Sequence, residues 1–220
     1  MPKLIRDNGL TVVVLLLFAG SVVGQSLTGH ARYNEDQHDH DRSEIAYIEY
    51  VTSAAFAESV FENWESEFLQ MAVYVWLTSF LYQRGSAQSK DPDKLEDGDK
   101  NPEDDDSGSK ASNPVRDGGL LLTIYENSLA LSLFVLFAAA FVLHWLGSHR
   151  HACHEQSLHG ETCSTAVTHL GSSTFWFESF QNWQSEFLSI AVLVLLSIFL
   201  RQKGSPESKP MHAAHSETGK

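Results

Sequence analysis

Apolar and polar residues fall in long alternating blocks along this chain. No charged side chain stands between Asn8 and Gly29, and His144 is the one ionisable residue between Asn127 and Ser148. Phe68 to Gln83 and Phe187 to Leu200 are also free of charge. Blocks of this kind, unbroken by proline, predict helices, and the two longer ones reach the roughly 20 residues that cross a bilayer. The block from Phe187 is shorter. As a helix it covers about 21 Å of a hydrocarbon core of about 30 Å. Extending it back to Phe180 gives about 31 Å and draws Asn182, Trp183, Ser185 and Glu186 toward or into one leaflet. The same extension of the second block draws in Asn63, Trp64, Ser66 and Glu67. Indole rings favour the interface, which suits Trp64 and Trp183. Four spans result, near 9–28, 61–82, 128–147 and 180–200, and the expected fold is all-α, a four-helix transmembrane bundle.

The blocks come in two similar pairs. Asn63-Trp64-Glu65-Ser66-Glu67-Phe68-Leu69 returns 119 residues later as Asn182-Trp183-Gln184-Ser185-Glu186-Phe187-Leu188. The same shift aligns Asn8 with Asn127, Phe56 with Phe175, and Gln83-Arg84-Gly85-Ser86 with Gln202-Lys203-Gly204-Ser205. About a third of roughly 84 aligned positions are identical, the mark of a duplicated module. Each copy is a two-helix hairpin, which sets the expected division at 1–90 for the first hairpin and 120–209 for the second. Residues 91–119 form a linker between them and 210–220 a tail. The segments ahead of the second and fourth spans, 43–62 and 162–181, mix aromatic and polar residues, with Ile45, Ile48, Val51 and Ala55 at helical spacing. They read as interfacial helices in the outer loops or as loop helices packed on their own module.

Charge orients the hairpins. Lys3, Arg6, Arg84, Lys90, Lys94, Lys100, Lys110, Arg116, Arg201, Lys203, Lys209 and Lys220 lie on one side of the four spans, and Arg32, Arg42 and Arg150 on the other. Cytoplasmic loops carry the excess of Lys and Arg, so both termini and the linker are expected inside, with the copies parallel. Lys3, Arg6 and the run Leu10 to Val23 also have the form of a secretory signal. The equivalent run, Leu129 to Leu146, lies mid-chain, which favours a span. The net charge of −13 argues against a nucleic-acid partner. The linker, with Glu103-Asp104-Asp105-Asp106, and the tail after Gly204 hold too little apolar surface to fold, and both are expected to be disordered.

Candidate chemistry follows from the depth of the polar residues. Asn63, Glu67 and Gln70 lie on one helical face that Thr78 continues, and Asn182, Glu186, Ser189 and Ser197 form its counterpart. Asn63, Ser66, Glu67, Asn182, Ser185 and Glu186, with Gln25 and His144, make a candidate intramembrane polar cluster. Gln25 and His144, equivalent positions near the outer ends of the first and third spans, are expected to bond to Glu67 or Glu186. Such a cluster serves as interhelical hydrogen-bond glue, carries protons or a cation, or lies solvated at the interface. Cys153 and Cys163 in the second loop are a disulfide enclosing nine residues or two free thiols. His149, His151, Cys153 and His154 offer zinc- or copper-type donors but match no zinc signature, and no metal is assigned. No Gly-rich phosphate loop, nucleophile elbow or paired-histidine zinc helix is present, so no enzyme activity and no cofactor is assigned.

Tyr33-Asn34-Glu35-Asp36-Gln37, Glu62-Asn63-Trp64-Glu65-Ser66-Glu67-Phe68-Leu69, Glu126-Asn127-Ser128-Leu129, His159-Gly160 and Gln202-Lys203-Gly204-Ser205-Pro206-Glu207-Ser208-Lys209 together resemble a family of uncharacterised bacterial membrane proteins known only as a domain of unknown function. The resemblance covers nearly the whole chain outside the linker, and departs from the pattern at Ala152-Cys153-His154-Glu155-Gln156. It implies a bacterial cytoplasmic membrane location and no activity. The expectation is a structural or interaction protein of that membrane, with the lipid bilayer as its surroundings and a protein partner or second copy unidentified. The alternative is a small transporter or channel using Glu67 and Glu186.

Overall fold

A computed structural model describes residues 3–99 and 119–219. Lys100 to Arg116, the bulk of the expected disordered linker, lies outside the described residues. The described chain is helical, with α1 at Lys3–Asp39, α2 at Tyr47–Val51 and α3 at Ala54–Thr78. A 3-10 turn follows at Asp97–Asp99, then α4 at Gly119–Glu126, α5 at Ser128–Leu158, α6 at Ala166–Leu170 and α7 at Ser173–Phe199. The short helices α2 and α6 fall within the two segments expected to be interfacial.

Local chemistry sets the helix ends, often in the same way 119 residues apart. Asn8 leaves helical geometry inside α1, and Asn127 stands in the break between α4 and α5. Ser53 Oγ accepts from the Phe56 amide at 3.2 Å, and Ser172 Oγ from the Phe175 amide at 3.2 Å, capping the starts of α3 and α7. After α1 and α5 the chain turns through a left-handed residue, Asp41 (φ 54°) or Gly160 (φ 73°). The amides of Arg42 and Glu161 then return to the Gln37 and Gln156 carbonyls at 2.8 and 2.9 Å. This is a Schellman closure, which gives the last carbonyls of each helix a donor.

Among the described residues three helices are long and apolar enough to cross a membrane: Arg6–Asp39, Ser128–Leu158 and Ser173–Phe199. The expected fourth, α3, is not among them. Its 25 residues have the length, but Glu58, Glu62, Glu65 and Glu67 occupy its first half and remove its mean hydropathy. It also stops at Thr78, short of the expected 82. Burial is inverted relative to a water-soluble protein. Leu10, Leu16, Leu17 and Val135 are exposed, while Ser26, Glu65, Ser66, Gln70, His144, Ser148, Ser179 and Ser197 are buried. Large contiguous apolar surface of this kind demands an apolar surrounding.

The chain divides into two compact units, Met1–Phe61 with Leu143–His169, and Glu62–Val142 with Leu170–Lys220. Each draws on both sequence copies. In the first, Tyr50 is buried among the rings of His30, Tyr33 and Phe56, at centroid distances of 5.5–5.8 Å. Burial pushes the Tyr50 phenol above its usual range. Gly147 lies so close to the Glu58 backbone that a Cβ would stand 3.0 Å from its nitrogen. In the second unit, Phe141, Phe175, Trp176, Phe180 and Trp183 form an edge-to-face cluster. The tail differs from expectation. Lys209 is buried and donates to the carbonyls of Ala214, His215 and Glu217 at 2.8–3.1 Å, and the Gly219 amide reaches the Ser86 carbonyl at 3.0 Å. Charge-assisted bonds of this type hold a segment that has no apolar core of its own.

The Schellman turns yield a paired expectation. A Cβ on Gly160 meets nothing within 4 Å, so Gly160→Ala carries only the left-handed backbone cost, about 1 kcal/mol. Asp41→Gly relieves the same cost and shifts stability the other way. Thermal unfolding of the two variants in detergent should move in opposite directions, and a shift of the same sign in both would contradict the assignment.

Candidate functional site

Helices α3 and α7 meet in the second unit along a seam of polar side chains. Trp183 Nε1 donates to Glu65 Oε1 at 2.9 Å. Asn182 Nδ2 donates to Glu62 Oε1, and to its own helix at the Glu178 carbonyl at 3.1 Å. Gln70 Nε2 donates to the Glu186 carbonyl and to Ser189 Oγ, both at 2.9 Å. Glu65 is 0% exposed, and Ser66 and Gln70 are also buried. The Glu62 and Glu65 carboxyls of α3 are thus met by donors from α7.

This seam shares Gln70, Asn182 and Ser189 with the expected stripe and adds Glu62 and Glu65 to it. Asn63 and Glu67 are exposed, Ser66 is buried and bonds to the Asn63 carbonyl, Asn182 and Glu186 are half-buried, and Ser185 is exposed and bonds to the Asn182 carbonyl. The face that is covered runs through Glu58, Glu62, Glu65 and Ala72, at i, i+4, i+7 and i+14. Gln25, in the first unit, donates to the Ser59 carbonyl and hydroxyl at 3.2 and 3.3 Å and not to Glu67 or Glu186. His144 is completely buried in the same unit. Glu58, Glu62 and Glu65 escaped sequence reasoning because their counterparts in the second copy are Phe177, Gln181 and Gln184. Weight had been placed on residues that recur. The signal that could have found them is their common helical face with the small residue Ala72.

The loops of the first unit hold a second set of polar contacts. Glu58 Oε2 pairs with His151 Nδ1. His30 Nε2 lies 2.8 Å from the Ile45 carbonyl, and His149 Nε2 lies 2.8 Å from the Ser164 carbonyl. Cys153 and Cys163 are joined as a disulfide with Cα atoms 4.8 Å apart. Together with His149 they are the group among the described residues whose ligand atoms are near enough to share a metal ion. The sulfur–sulfur bond takes both thiolates out of that role, and the His149 nitrogen faces a carbonyl. The loop therefore has a covalent closure in place of a metal centre.

A family described as Domain of unknown function (DUF6766) matches residues 1–220. No curated protein and no solved structure matches the chain.

Trp183→Phe removes the indole donor from a buried carboxyl, and should destabilise the protein by about 1–3 kcal/mol. Combined with Glu65→Leu, the two changes should couple by about 1 kcal/mol in a double-mutant cycle read by unfolding in detergent. Strict additivity would mean that the seam contributes nothing.

Proposed function

The chain belongs to the DUF6766 family, and from that premise we propose that it is a multi-pass protein of the bacterial cytoplasmic membrane with a structural or interaction role. Membrane residence is supported by the three apolar helices, in whose most apolar stretches only 6–11% of the residues are buried. Helix α3 supplies a fourth crossing in this reading, since Glu58, Glu62 and Glu65 are turned to protein donors and its length is about 37 Å. The termini and the linker lie in the cytoplasm, with the excess of Lys and Arg. The Cys153–Cys163 pairing supports the same orientation, because disulfides persist in oxidising compartments and this reading puts the second loop outside the cytoplasm.

Duplication of the hairpin accounts for bonds that recur at a spacing of 119 residues. Ser89 Oγ accepts from the Gln83 amide at 2.8 Å, and Ser208 Oγ from the Gln202 amide at 2.9 Å. The His30 and His149 contacts, the serine caps and the Schellman turns repeat in the same way. The single observation that carries the structural role is the seam, in which Glu62, Glu65 and Gln70 each meet a partner on α7. Polar groups engaged in this manner set the register between helices. The apolar faces of α1, α5 and α7 contact lipid, a partner protein or a second copy. Transport is the second reading, favoured by Glu67 and Glu186, carboxyls 119 residues apart in sequence that fall in one unit.

Reporter fusions after Asp39, Ser109 and Leu158 test the orientation. Ser109 should report the cytoplasm and the other two the outside, and an external signal at Ser109 would overturn it. Proteoliposomes should show no proton or monovalent-cation flux. Flux that disappears in Glu67→Gln/Glu186→Gln, with folding retained, would replace the structural reading by the transport one.

A further inference from the structure

Loop segments 34–45 and 153–164 occupy equivalent positions, and each must satisfy one backbone amide, that of Ile45 or Ser164. In the second loop Cys153 is bonded to Cys163, and Gln156 Oε1 accepts from the Ser164 amide at 3.3 Å. In the first, Asn34 stands in place of Cys153. Its Oδ1 accepts from the Ile45 amide at 3.0 Å, and its Nδ2 donates to the Ile45 carbonyl at 3.2 Å. Gln37, the counterpart of Gln156, has lost its task to Asn34. It is 9% exposed, and its Oε1 meets no donor. Buried acceptors left in this state are rare in native proteins and mark a water, an ion or a site.

Gln37 lines a cavity of about 480 Å³ in the first unit. Tyr33 and Glu49 line it from the side of the first loop, and Arg150, His151 and His154 from α5. Glu58 fixes the His151 ring through Nδ1. The volume lies within the range of about 300–1,000 Å³ in which small-molecule sites fall. The lining has two characters. Gln37 Oε1 and the Glu49 carboxylate call for a donor or a cation, whereas the Arg150 guanidinium and the histidines call for an anion. A simple anion leaves Gln37 unmet, and a simple cation leaves Arg150 unmet.

We propose that this cavity binds a small zwitterion, a free amino acid or dipeptide, whose ammonium group donates to Gln37 Oε1 beside Glu49 and whose carboxylate faces Arg150 and His154. The site lies wholly within one unit, so it does not depend on how many times the chain crosses the bilayer or on the structural role of the seam.

Isothermal titration of the full chain in lipid nanodiscs tests this. The probes are L-alanine, L-glutamate, L-arginine and alanyl-alanine, each also with its amino group acetylated or its carboxyl group amidated. At least one free zwitterion should bind saturably, and blocking either end should weaken it about tenfold or more. Gln37→Leu and Arg150→Gln should each cause a similar loss, with the thermal transition retained. Arg150 is exposed, so that variant carries the test if Gln37→Leu does not fold. The proposal is overturned if no probe saturates by about 10 mM, if blocked derivatives bind as tightly as free ones, or if Arg150→Gln binds like the wild type.

Discussion

In a hydrocarbon surrounding, a polar group has no water to fall back on, and it must find its partner in the protein. In the four-crossing arrangement proposed above, Glu62 and Glu65 of α3 make that constraint acute. Glu62 and Glu65 sit one turn apart, and Glu65 is fully buried. Leaving such a group without a donor costs several kcal/mol, whereas an interhelical hydrogen bond in a membrane is worth about 0.6 kcal/mol on average. The Trp183 and Asn182 contacts therefore matter less for what they add than for the penalty they avoid. A slip of α3 against α7 by one residue would uncouple Glu62, Glu65 and Gln70 together, so the seam specifies a single register.

The two halves of the sequence solve the same local problems with different chemistry. Gly29 leaves room for the Tyr50 ring, whereas at the equivalent positions Ser148 Oγ and His169 Nε2 lie 2.9 Å apart. Ser26 Oγ meets the Tyr47 hydroxyl at 2.7 Å, and at the equivalent positions Trp145 Nε1 reaches the Ala166 carbonyl at 2.8 Å. Geometry is retained at each pair of positions while the interaction changes type. Positions of this kind tolerate divergence because either contact satisfies the groups that the backbone brings together.

Much of the helical framework was legible as uncharged blocks. A helix facing an apolar surrounding must be apolar, and α1, α5 and α7 announce themselves in that way. Helix α3 was harder, because the carboxyls Glu62 and Glu65, which face partners on α7, lower its hydropathy. Its carboxyls Glu62 and Glu65 were missed for a related reason. Recurrence between the copies highlighted Asn63 and Glu67, whereas the covered residues Glu62 and Glu65 differ between copies and owe their burial to partners on α7. Tertiary pairing of this kind leaves no periodic trace in one chain. The tail escaped for another reason. Lys209 is held by carbonyls, and hydrogen bonds to backbone oxygen are invisible to any count of apolar residues.

The difference in how the two loops are closed has a consequence of its own. One is fastened by an asparagine amide, which forms and breaks freely whatever the electron balance of its surroundings. The other is fastened by a bond that thiols can cut. A reductant would thus slacken the Cys153–Cys163 side alone and leave the Asn34 side taut, so two loops at equivalent sequence positions differ in their response to chemical stress.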